Sequence, residues 1–149
     1  MMPLKIYAAH DLPKTEWSKL TGNSIFSSPE FAVLWRTIGG REIFLAREES
    51  GAIKAGMAGV VFGGRFIRRF QSMPDGTFGG PYFRDPDDAA EKSGFMTLIH
   101  GWLKSQRIIS ADIHRPCSKI ETNIFERRET TTQTVSLDGG VYEPPNSKV

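Results

Sequence analysis

The sequence predicts an α+β fold, with a mixed, largely antiparallel central sheet and helices on both faces. Three observations carry this prediction. Two helix starts, near Asp11 and at Ser27-Ser28-Pro29-Glu30, precede any long strand. Three apolar, strand-like runs then follow one another across glycine-containing turns, as in an antiparallel meander. Beyond a glycine-rich loop come one long amphipathic stretch and a further strand pattern.

Taken in order, Leu4–Tyr7 alternates well enough for a short first strand. Asp11 is suited to cap a helix, with Pro13 in its first turn and Trp17 and Leu20 on its inner side. Gly22-Asn23 stops it. The second helix has the clearer signal, a serine cap followed by proline at the first helical position. Phe31, Leu34, Trp35 and Ile38 then fall at helical spacing, and Gly39-Gly40 ends the run. In residues 42–47, Ile43 and Leu45 share one face and Phe44 and Ala46 the other, so this reads as a strand covered on both sides. Residues 52–62 form the next strand, with Gly56 and Gly59 marking a bulge or a close backbone approach. Residues 65–70 complete the meander.

Asp85-Pro86-Asp87-Asp88 places acidic side chains where a helix dipole favours them. The helix continues to about Lys104, with Phe95, Leu98, Ile99 and Trp102 as its apolar stripe and Leu103 widening it. Aromatics at this spacing fit a core better than a cofactor box. Ile108–Ile113 is a strand, residues 118–125 a short helix, and residues 129–137 a threonine-rich strand. Residues 1–138 form one domain, and residues 139–149 a linker or disordered tail.

Composition narrows the classes of function. The chain has 149 residues, 39% apolar and 24% charged, as expected of one globular domain with a real core. A formal charge of +2 is too small to point to nucleic acid, and no nucleic-acid signature is present. Arg65, Arg68 and Arg69 cluster, as do Arg127 and Arg128; a solvated charged face explains both better than an anion site. Cys117 is the only cysteine, which excludes an internal disulfide and fits a buried thiol better than a nucleophile beside His114. His10, His100 and His114 are scattered, and no His, Cys or carboxylate pair has metal-ligand spacing. The N-terminus lacks an apolar leader, and no run is long enough for a membrane span, so the expected location is the cytoplasm.

The most informative stretch is Gln71-Ser72-Met73-Pro74-Asp75-Gly76-Thr77-Phe78-Gly79-Gly80-Pro81-Tyr82-Phe83. Glycine and proline at this density shape a loop rather than a strand. Such a loop is able to present backbone amides to a developing negative charge, with Gly79 and Gly80 permitting close approach. Ser72, Asp75 and Tyr82 are its polar side chains, and Asp75 is the one candidate base. Arg68 and Arg69 lead into it on opposite faces, so one of them is placed to hold a phosphate or carboxylate. The plainer alternative is a connection between sheet and helix, with Asp75-Gly76 an ordinary turn.

Three stretches together carry a family likeness: Asn23-Ser24-Ile25-Phe26-Ser27-Ser28-Pro29-Glu30-Phe31, Ala55-Gly56-Met57-Ala58-Gly59-Val60, and Ser72-Met73-Pro74 through Gly79-Gly80-Pro81. With the order of elements, and with Thr134-Val135-Ser136-Leu137-Asp138 as a closing strand, the chain resembles the first half of a FemAB-like protein of the GNAT acyltransferase superfamily. Asp75 and Phe78 depart from that family's loop, which carries an aromatic and a tyrosine there. The resemblance implies an α/β/α-type GNAT-like domain and transfer of an acyl or aminoacyl group to an amine, by direct attack, in cell-envelope synthesis. It implies a small-molecule or peptide acceptor, and a second GNAT-like domain or a homo-oligomeric partner. No cofactor is expected in this half; an acyl-CoA or aminoacyl donor belongs to the completed enzyme. The [Q/R]-x-x-G-x-[G/A] turn with which GNAT enzymes hold the donor is not found, so the chain reads as a fragment or free-standing half. The other reading is a non-catalytic module that packs on a sister domain and shapes an acceptor groove. Either way, an exposed apolar patch is expected.

Overall fold

The computed structural model describes residues 3–74 and 77–114. Asp75 and Cys117, the helix expected over 118–125, the strand over 129–137 and the tail over 139–149 lie outside the described residues. The strands are β1 (Leu4–Tyr7), β2 (Arg41–Glu49), β3 (Ala52–Gly63), β4 (Arg68–Ser72), β5 (Tyr82–Phe83) and β6 (Ile108–Ile113). They form one open sheet in the order β1-β2-β3-β4-β6, with β5 added to β3. Every pairing is antiparallel except β4 with β6. That parallel pair needs a crossover, and α3 (Ala89–Ser105) supplies it.

Alternation along β2 splits the core into two layers. Phe44 and Ala46 face α1 (Lys14–Thr21) and α2 (Pro29–Ala32), where Trp17, Leu20 and Ala32 meet Ala58 and Val60. Ile43 and Leu45 face α3, where Phe95, Met96, Ile99, Trp102 and Leu103 meet Met57, Val61 and Phe70. Helices therefore cover both faces, and the mixed, largely antiparallel sheet is as expected. The apolar stripe of α3 includes Met96, while Leu98 is only half-buried. Gly56 is a true close approach: a Cβ there would lie 2.6 Å from the Trp17 ring, so α1 rests directly on β3.

Three local expectations are corrected. Asp11 does not cap α1; its amide closes a turn onto the Ala8 carbonyl, and the helix begins only after Pro13, without a side-chain cap. Ser28 does cap α2, accepting from the Phe31 amide at 3.1 Å. However, regular α geometry ends at Ala32 and a tighter 3₁₀ run continues over Val33–Ile38. Three residues per turn rotate the expected stripe apart, which leaves Leu34 and Ile38 exposed. β4 begins at Arg68 rather than Arg65, because residues 64–67 are spent on the loop after β3.

Candidate functional site

The glycine-rich loop is spliced into the sheet. β4 pairs with β3 over Val60–Gly63 and then swings away after Ser72. The chain returns at Gly79, whose carbonyl accepts from the Ala58 amide at 2.7 Å, and β5 takes up the pairing at Gly56 and Ala55. One edge of β3 is thus occupied in turn by β4, the loop and β5. Gly79 has no room for a side chain, since a Cβ would run into the Ala58 carbonyl oxygen. Gly80 has φ +108°, and the Gly80–Pro81 bond is cis.

The polar groups of the loop's described residues turn inward. Ser72 is fully buried, with Oγ 3.0 Å from the Gly80 carbonyl and 3.4 Å from that of His114. The Gly79 amide donates to the Ser72 carbonyl at 3.1 Å, so that amide closes the loop rather than facing a ligand. The Tyr82 hydroxyl lies 2.6 Å from Oγ of Ser27, in the 3₁₀ turn Ile25–Ser27. His114 holds the loop from the β6 side: Nδ1 is 2.7 Å from the Met73 carbonyl, and because a carbonyl only accepts, the proton sits on Nδ1. Phe78 packs edge-on against Phe26, continuing an aromatic row through Phe31 to Trp35.

Arg68 and Arg69 are not brought to the loop. They stand at the opposite end of β4, about 13 Å (Arg68) and about 10 Å (Arg69) from Ser72 at ~3.3 Å per residue. Arg68 reaches the Gly64 and Gln106 carbonyls, at 3.2 and 3.3 Å, and ties the β3–β4 connection to the end of α3. Arg69 pairs in register with Phe62 and is exposed on the other face. Among the predicted site residues, Ser72, Gly79, Gly80 and Tyr82 are therefore gathered together. His10 is exposed and pairs with Asp11.

Three of the ion pairs that sequence reasoning missed join separate elements of the sheet and helices. Arg36 forms a two-point pair with Glu42, including an Nε–Oε2 contact of 2.8 Å, and the carboxylate is almost wholly buried. The guanidinium, more than burial opposes it, holds Glu42 below the ordinary carboxylate range. A carboxylate on the same face as Phe44 and Ala46 was the available signal, since a buried charge needs a partner. Arg47 pairs likewise with Glu91 and joins β2 to the first turn of α3. Glu48 accepts from both Lys5 and Tyr7; burial alone would raise its pKa, and these two donors bring it below the usual value instead. Burial first, and then Glu48, push the Tyr7 hydroxyl up. Beyond the end of β1 lies an open hollow of about 450 Å³, lined by Tyr7, Ala8, Arg36, Gly40 and Glu42.

Among the described residues, no three His, Cys, Asp or Glu side chains are grouped as a metal would need, and no helix is long and apolar enough to cross a membrane. Compared with protein-family models, curated proteins and solved structures, the chain matches none of them.

Proposed function

We propose that the chain is a non-catalytic, GNAT-like module of an acyltransferase-type protein, working in the cytoplasm by packing on a sister domain or partner and shaping an acceptor groove. The observation that carries this reading is the direction of the loop's polar groups. Ser72 Oγ and the Gly79 amide are spent inside the loop, and the Tyr82 hydroxyl is spent on Ser27. A loop satisfied in this way supports a neighbouring surface better than it stabilises a transition state, which needs donors free to meet developing charge. The packing face is the segment that holds the aromatic row, where Ile25, Leu34 and Ile38 also stand exposed. Exposed apolar side chains on one segment are suited to burial against another domain.

Catalysis of acyl or aminoacyl transfer to an amine belongs, in this reading, to the completed protein. Calorimetric titration of the chain with acetyl-CoA tests it. No heat of binding is expected; saturable heat would overturn the non-catalytic reading and restore the donor site to this chain.

A further inference from the structure

We propose that the end of the sheet formed by the β3–β4 connection and the start of β6 docks on an anionic lipid bilayer. The proposal does not depend on the reading of the glycine-rich loop. Phe66 is 80% exposed, Ile67 61% and Ile109 66%, so the largest exposed apolar side chains of the described residues include these three. They stand at one end of the molecule. Arg68 pairs in register with Ile108, a bulge follows at Ile109, and the Arg68 guanidinium binds the carbonyls of Gly64 and Gln106. The connection carrying Phe66 and Ile67 is thereby fastened to the turn that follows α3.

Cations surround this apolar tip. Arg65, Arg69, Lys104 and Arg107 are exposed, and none forms an ion pair with another described residue. Arg41 joins the same end through its pairing with Val61. No acidic residue occurs between Glu49 and Asp75, or between Glu91 and Asp112. The neighbouring carboxylate of Glu42 is already taken by Arg36. Acidic side chains instead concentrate at the other end, at Glu48, Glu49, Asp85, Asp87 and Asp88.

The combination selects the partner. Exposed arginines and lysine are drawn to anionic headgroups, while Phe and Ile reach the boundary between headgroups and acyl chains. A nucleic-acid backbone would satisfy the cations and leave Phe66 and Ile67 in water. A neutral apolar protein surface would bury the tip and leave the cations without partners. A bilayer with negative headgroups accommodates both.

Vesicle flotation with the full chain tests this, using phosphatidylcholine vesicles with and without about 30% phosphatidylglycerol in about 0.1 M salt. Wild-type protein is expected to float with the anionic vesicles and to remain behind with the neutral ones. Phe66→Ser with Ile67→Ser, and separately Arg65→Gln with Arg107→Gln, should each lower partitioning about tenfold. These side chains are exposed, so unchanged circular dichroism accompanies the loss. Failure to float with anionic vesicles, equal flotation with neutral ones, or flotation indifferent to Phe66 and Ile67 would each overturn the proposal. So would tighter binding to a single-stranded oligonucleotide that survives the Phe66 and Ile67 substitutions.

Discussion

The phenolic oxygen of Tyr82 lies 2.6 Å from Oγ of Ser27, joining β5 to the turn that leads into α2. Ser27 is fully buried, so its hydroxyl has little else to bond than Tyr82 and the Phe78 carbonyl at 3.4 Å. Tyr82→Phe should cost about 1 kcal/mol. Thermal unfolding should show this as a fall of about 2–4 °C. A double-mutant cycle with Ser27→Ala measures the coupling, and strictly additive losses would mean that the two hydroxyls do not interact.

Gly79→Ala should be worse, because the new methyl group meets a backbone oxygen rather than the end of a movable side chain. Overpacking of this kind costs about 1–3 kcal/mol. Urea unfolding checks it; a midpoint within error of wild type would show that the loop does not approach β3 so closely.

The Arg36–Glu42 pair gives stability a dependence on pH. The folded pKa of Glu42 is depressed below the ordinary 4.5, chiefly by its hydrogen bonds from Arg36. The contribution is therefore complete above about pH 4.5 and is lost as pH falls through the depressed value. Glu42→Gln should lower stability at pH 7 by about 1–3 kcal/mol and flatten the acid limb of the stability profile. An acid limb unchanged in the variant would contradict the assignment.

Trp35 carries the one buried side-chain donor among the described residues for which no hydrogen-bond partner is present, its indole Nε1. Leaving such a group unsatisfied costs about 1–3 kcal/mol. Trp35→Phe removes that cost along with some packing, so chemical denaturation should place the variant within about 0.5 kcal/mol of wild type. A loss above about 2 kcal/mol would contradict a net gain from removing the unpaired donor.

Much of the fold was legible because it is written in short periods. The alternation of Ile43 and Leu45 against Phe44 and Ala46, the limits of β6, and Asp88 before α3 all depend on near neighbours. β5 was not legible, since two residues have no period and Tyr82–Phe83 forms a strand only because Gly79 has already met Ala58. The 3₁₀ run after Ala32 escaped for a different reason: Phe31, Leu34, Trp35 and Ile38 satisfy a helical template that the backbone then tightens. At the candidate site, the need for Gly79 was visible in composition. The inward turn of Tyr82 was not, because its partner is 55 residues away.

The shared edge of β3 has a consequence for how the molecule breathes. β4 and β5 hold the same side of one strand at different places, and the Ala58 amide stands at the junction between them. Opening of that bond together with the β5 pairs at Ala55 and Gly56 frees this edge of β3 while β4 stays zipped to it. Hydrogen exchange should then report two tiers, with Ala58 exchanging through this partial opening and the amides of β3 that face β4 only on deeper unfolding.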